Sequence, residues 1–193
     1  MRTVRWLLPL LLLLFSPSVA KADVITFEGL ADLEDVTDQF SNLLFMNATI
    51  LTAGVSLVED EFPPFSGSNV VFDNSGPMSI NFLVPVTSVG GHFTYLTRIT
   101  FTAFDASNNV LGSITSAFNN NQRLSGDLGS QPNELLSFSF VSGISRITIT
   151  GDLGGASFTL DDLTVEAIPE PASLYLLVGG GLTLMTILKK RMN

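Results

Sequence analysis

Two adjacent carboxylates, Asp161 and Asp162, interrupt the last apolar run of the chain before its C-terminal tail. Phe158 and Leu160 precede them with one parity, and Leu163 and Val165 follow with the other. Strand side chains alternate with a period of two, so both apolar pairs can face one side only if a bulge or bend intervenes at Asp161-Asp162. A bulge carrying two carboxylates presents hard oxygen ligands of the kind Ca²⁺ takes. Glu28 stands at the end of the expected first strand and supplies a third such oxygen donor. Asp161 and Asp162 are therefore candidate ligands for a structural Ca²⁺. The plainer alternative is an acidic, solvated strand end.

A second acidic cluster, Glu59-Asp60-Glu61, runs into Phe62-Pro63-Pro64-Phe65. Like charges in a row mark a solvated loop, and two prolines stiffen it. The two phenylalanines either anchor that loop or form an exposed contact surface; anchoring is the expectation. His92 is the only histidine of the chain. A serine triad would need it as base, yet no Gly-x-Ser-x-Gly elbow presents a nucleophile, so a strand histidine with a satisfied hydrogen bond is expected. Glycosidases need only two carboxylates, and the number of acidic residues alone singles out no pair. Sugar-binding sites stack pyranose rings on aromatic side chains. Between the two ends of this chain there is no Trp and one Tyr, Tyr95, so such a platform depends on Phe.

The elements that position these groups have a rhythm of two. Ile80-Phe82-Val84, Ile99-Phe101-Ala103, Leu136-Phe138-Phe140 and Ile147/Ile149 alternate with residues that are mostly Ser, Thr, Asn or Arg. That is the pattern of antiparallel strands with one wet face. Asn108-Asn109 predicts a tight hairpin, because Asn tolerates positive φ. Gly154-Gly155 predicts another, and Gly143 divides 135–141 from 144–150. Gly-Asp-Leu-Gly occurs at 126–129 and again at 151–154, read as two turns. A weak helical candidate covers 35–45, which has an acidic start. Eight to ten short strands in one domain predict an all-β fold, an antiparallel β-sandwich or jelly roll, with a closed barrel as the alternative. Jelly-roll sugar-binding modules often carry a structural Ca²⁺ where their first and last strands meet, which suits Glu28, Asp161 and Asp162.

Residues 23–168 carry three arginines, no lysine and seventeen acidic residues, a formal charge of −14. Such a surface repels nucleic acid and anionic membranes. There is no cysteine in the chain, which excludes disulfides, thiol nucleophiles and Cys-based zinc sites. The missing lysine excludes Schiff-base and serine–lysine chemistry in the domain.

Both ends of the chain read as addresses. Residues 1–22 order Arg2 and Arg5, an apolar run and Ala20-Lys21-Ala22, as a secretory signal peptide does, with cleavage by signal peptidase expected after Ala22. Residues 169–193 order Pro169-Glu170-Pro171, an uncharged run over 172–188 and Lys189-Lys190-Arg191. The run sits at the short end of the roughly 17–25 residues that cross a bilayer as a helix, and the basic residues after it act as a cytoplasmic stop. This tail resembles the PEP-CTERM sorting signal of Gram-negative bacteria, which an exosortase reads. Segments 24–30, 88–95, 102–107 and 158–163 are similar to PEP-CTERM ectodomains, and that resemblance implies a lectin-like or carbohydrate-binding-module-like β-sandwich.

The chain thus divides into a signal peptide (1–22), a β-sandwich ectodomain (23–168) and a sorting signal (169–193). The expected protein is a bacterial, exported, non-catalytic one. It is first a single-pass inner-membrane intermediate with a periplasmic domain, and later resides at the cell surface or in the exopolysaccharide matrix. Expected partners are signal peptidase, an exosortase, the inner membrane and extracellular polysaccharide, with no nucleic acid. The alternatives are a carboxylate-based glycosidase or lyase and a passive surface-coat protein.

Overall fold

Alternating apolar and polar residues build nine strands in the computed structural model, which describes residues 22–168. They are β1 (Ala22–Ile25), β2 (Leu43–Met46), β3 (Ala48–Thr52), β4 (Asn69–Asp73), β5 (Met78–Tyr95), β6 (Thr100–Phe104), β7 (Val110–Thr115), β8 (Glu134–Thr150) and β9 (Phe158–Ala167). The described residues belong to one compact unit. The signal peptide up to Lys21, including Ala20, lies outside them. So do Pro169-Glu170-Pro171, the apolar run and Lys189-Lys190-Arg191. Ala22 opens β1, opposite Glu166. Among the described residues no helix is long and apolar enough to cross a membrane.

The strand pairings are antiparallel and join in the order β3-β4-β9-β5-β8-β6-β7, with β1 added to β9 and β2 to β5. The antiparallel all-β class expected from the sequence is therefore present. Two long strands organise it. Residues 79–82 of β5 pair with β2, and 78–81 pair with 146–149 of β8, whose other edge carries β6 and then β7. Residues 86–93 of β5 pair with 134–144 of β8, and 86–95 pair with β9, which carries β1 and β4. Register shifts between Asn81 and Ser88 separate the two parts.

These parts face each other across the core. Phe101 of β6 meets Phe93 of β5 at 5.7 Å and Phe138 of β8 at 4.8 Å between ring centroids. Neither is its hydrogen-bonded strand partner. Phe27, Phe40 and Phe45 form a second aromatic group. Ile80, Ile99, Ala103, Ile147 and Ile149 are buried, as their alternation predicts.

Four expectations need correction. Residues 35–45 are not helical: Asp35 bridges to Thr49, and 43–46 become β2, because Leu43 and Phe45 alternate into the core. Val84, expected to follow Ile80 and Phe82 inward, is 53% exposed, because the break in β5 resets its parity. Gly143 does not separate two strands. It bends one, adopting φ +88 within β8 beside the side chains of Pro85 and Ile168. The Gly154-Gly155 turn joins β8 to β9, which do not pair, so it is a crossover and not a hairpin. Buried Asp73 holds that crossover, accepting hydrogen bonds from Ser157 N, Ser157 Oγ and Phe158 N at 2.7, 2.7 and 2.9 Å. The expected hairpin at Asn108-Asn109 does form, with Asn108 at φ +64 and Asp105 accepting from the amides of Ser107 and Asn109.

Candidate functional site

The parity break at Asp161-Asp162 is a bulge. Gly90 pairs with Thr164 but His92 with Asp161, so β9 carries one residue more than β5 there, and Asp162 adopts φ +47. The bulge aims both carboxylates at the loop that connects β3 to β4. Asp161 Oδ2 accepts from Phe65 N (2.7 Å) and Ser66 N (2.9 Å), and its Oδ1 accepts from Asp162 N (2.7 Å). Asp162 Oδ1 accepts from Ser66 Oγ at 2.6 Å. Glu28 reaches the same loop two residues on: its Oε1 accepts from Ser68 N and Asn69 N, both at 2.8 Å. Gly67 suits the position between them: its φ of +56 favours glycine, and a Cβ there would displace the Glu28 carboxylate from its N–H donors.

The three residues expected at a metal therefore converge on one loop, but in another role. A Ca²⁺ site needs carboxylate oxygens turned toward a shared point. Here most of those oxygens are turned toward N–H and O–H donors. Among the described residues no group of three or more His, Cys, Asp or Glu is placed to hold a metal ion. The donor set around Glu28, Asp161 and Asp162 suits anions and does not fit the cation.

The two main anchors titrate in opposite directions. Burial pushes Asp161 up to about 6; the N–H donors of Ser66, Asp162 and Phe65 oppose the rise, and the charge of Asp162 adds to it. Burial also works against Glu28, but the N–H bonds from Asn69 and Ser68 outweigh it and hold this carboxyl below its usual range.

The loop thus held presents one aromatic ring. Phe65 is 50% exposed, and one face lies on the His92 imidazole, with centroids 3.5 Å apart and planes 7° from parallel. His92 is half-buried on β5, and its Nδ1 is 3.2 Å from the Asn133 carbonyl oxygen, so its expected satisfied hydrogen bond exists. Asn133 also donates from Nδ2 to the Pro63 carbonyl, and Pro63 is buried. The 59–65 loop is anchored, but through Pro63 and not through Phe65: the expectation that both phenylalanines anchor it needs correction, because Phe65 is half exposed. The ring borders a cleft of about 390 Å³ lined by Glu59, Asp60, Pro64, Ser66 and Arg123 among others.

The acidic residues of this region divide by use. Glu28, Asp161 and Asp162 hold the loop, and Glu61 accepts from the amides of Leu124 and Ser125. Glu59 and Asp60 make no side-chain hydrogen bond or ion pair among the described residues. Arg123 makes only a 3.5 Å contact to the Glu59 carbonyl through its side chain.

Tyr95 is no platform. It is fully buried, and its hydroxyl donates to Glu134; burial first, then that bond, pushes it up to about 12. The two Gly-Asp-Leu-Gly segments are turns, in which Asp127 accepts from the amides of Asn119 and Asn120 and Asp152 from that of Gly154. Sequence reasoning missed Asn69, which ties the end of the loop to Phe27 and Leu30, and Asn133, which holds the loop at Pro63. A single Asn at or just before the start of a strand carries no periodic signal that would have marked it.

No family model matches the chain, and no curated protein matches it. Among solved structures it is similar to the K1 cleaved adhesin domain of Lys-gingipain from Porphyromonas gingivalis (10% identity, 76% of this chain and 98% of that one, TM-score 0.47). It is also similar to a DUF4465 family protein from Bacteroides caccae (12% identity, 76% and 99%, TM-score 0.47). A third is a family 29 carbohydrate-binding module from Piromyces equi (9% identity, 77% and 91%, TM-score 0.42). These likenesses are too distant to carry a fold name or a function across.

Proposed function

We propose that this is an exported, non-catalytic module of the cell surface or exopolysaccharide matrix that binds polysaccharide through the cleft beside Phe65. On this reading the domain is a β-sandwich of the jelly-roll kind. Its signal peptide is removed by signal peptidase, the run over 172–188 holds it transiently in the inner membrane, and an exosortase processes it at Pro169-Glu170-Pro171.

The observation that carries the binding reading is the Phe65 ring. Its outer face is open while its inner face and backbone are held by His92 and Asp161. A preformed aromatic surface beside polar groups costs little to order when a ligand stacks on it. The cleft also lies far from the point where the chain leaves the domain. His92 pairs with Asp161 below the loop, whereas β9 ends opposite Val86, about 20 Å back along β5.

Electrophoresis through gels cast with the producing cell's exopolysaccharide tests the binding: the protein should be retarded, and Phe65→Ala should restore free migration. Intact mass of the protein recovered from the matrix tests the sorting. A mass ending near Pro169-Glu170-Pro171 supports processing, and one retaining Lys189 through Asn193 refutes it. A second reading, a carboxylate-based hydrolase or lyase, draws on the unspent carboxylates of Glu59 and Asp60. Release of shorter sugars that stops in Glu59→Gln or Asp60→Asn would favour it.

A further inference from the structure

We infer that the ligand of the Phe65 cleft is a neutral pyranose chain, and that the cleft discriminates against uronic-acid and sulfated polysaccharides. The inference rests on the polysaccharide-binding reading and names the chemistry that reading leaves open.

Three features converge. First, Phe65 offers one ring face only, since His92 covers the other. That suits the C–H face of a single sugar ring stacking flat, and the rigid ring loses little freedom in doing so. Second, the groups around the ring are ready to bond hydroxyls. The carboxylates of Glu59 and Asp60 and the guanidinium of Arg123 line the cleft, and none of the three forms an ion pair among the described residues. Carboxylates accept from the vicinal hydroxyls of a pyranose, and a guanidinium donates to a hydroxyl or ring oxygen. The neighbouring carboxylates of Glu28, Glu61, Asp161 and Asp162 are spent on the protein's own donors. The division separates residues that build the loop from residues that face its cleft. Third, the balance of charge disfavours an anionic ligand. Two carboxylates against one guanidinium leave the cleft negative, on a domain of formal charge −14. An incoming uronate or sulfate meets repulsion both at the cleft and from the domain's long-range field.

The volume agrees with this assignment. A cleft of about 390 Å³ lies near the small end of ordinary ligand sites, about 300–1,000 Å³, and holds a short stretch of a chain that continues into solvent on either side.

The test titrates the full-length protein in detergent with laminarihexaose, cellohexaose and a mannuronate hexamer from alginate, by calorimetry at two salt concentrations. At least one neutral hexaose should bind, with an affinity that salt leaves within about twofold. Phe65→Ala should weaken it about tenfold or more, and Glu59→Gln and Asp60→Asn each severalfold, with melting temperatures unchanged. The mannuronate hexamer should bind at least tenfold more weakly, and the deficit should shrink as salt rises. Tighter binding of the mannuronate overturns the inference and leaves the polysaccharide-binding reading standing. Binding of a neutral hexaose that Phe65→Ala does not weaken overturns both the inference and the reading that places the site at the Phe65 cleft. Absence of binding to all three, and to the producing cell's own polysaccharide in the gels, overturns both.

Discussion

Replacing Asp161 by Asn tests whether burial or hydrogen bonding governs the carboxylate that holds the Phe65 loop. The side chain is 1% exposed and accepts three N–H groups. The amide has one oxygen, which can keep Phe65 N and Ser66 N; its NH₂ then confronts the Asp162 N–H. One buried donor without a partner costs about 1–3 kcal/mol. Against this stands the cost of burying the charge. Asp161 titrates at about 6 in the fold against an ordinary 3.8, so the folded state prefers the protonated acid. The sign follows directly. A raised carboxyl contributes stability that is fully present below 3.8 and is lost as pH rises through about 6. The whole interval corresponds to about 3 kcal/mol, and solvent screening from the loop's open side reduces the expected figure to about 1–2 kcal/mol. Asp161→Asn does not titrate. It should therefore be less stable than wild type by about 2 kcal/mol at pH 4, and within about 1 kcal/mol of it at pH 7.5. Urea unfolding of residues 23–168, followed by fluorescence of Tyr95, the only Tyr in that span, measures both differences. The buried acid Asp73 is raised in the same direction, and Glu28 is lowered, but both are common to the two proteins and cancel. A destabilisation that is constant with pH, or one that grows toward neutral pH, would refute the reasoning. It would mean that the three N–H donors outweigh burial at Asp161, as the amides of Asn69 and Ser68 do at Glu28.

Two further outcomes follow from the same geometry. Asp73→Ala strands Ser157 N, Ser157 Oγ and Phe158 N in the interior and should cost about 3–5 kcal/mol; a fall in unfolding free energy of less than 1 kcal/mol would show that water or a shifted crossover replaces the carboxylate. Thermal melting should be the same in EDTA and in excess Ca²⁺; a site saturated at a hundred times its dissociation constant would add about 2.7 kcal/mol, so a clear upward shift would restore the metal role of Glu28, Asp161 and Asp162.

Much of the scaffold was legible because it is written in local periodicity. The inward sets Ile99-Phe101-Ala103 and Ile147/Ile149 follow from alternation alone. The bulge at Asp161-Asp162 follows from a parity conflict spanning eight residues, Phe158 to Val165, and the hairpin before Val110 from two asparagines. Misreadings arose where local pattern met a distant constraint. Val84 continues the alternation of Ile80 and Phe82, but β5 must leave one pairing and join another, and the break turns Val84 outward. Residues 35–45 show some helical character, but they lie beside β3, whose edge accepts Asp35.

By itself, the order of residues determined that the domain is antiparallel β, that its surface is strongly acidic, that it lacks cysteine and lysine chemistry, and that β9 bulges at two carboxylates. Those properties depend on composition or on neighbours within one strand. Only the tertiary structure decided what the carboxylates do. Asp161 and Phe65 are 96 residues apart, and Glu28 and Ser68 are 40 apart. Whether such a carboxylate meets a cation or a row of backbone N–H groups depends on which loop the fold closes over it. Here the loop between β3 and β4 arrives N–H first, so its donors take the oxygens that a metal would need, and the same bonds leave Phe65 facing out.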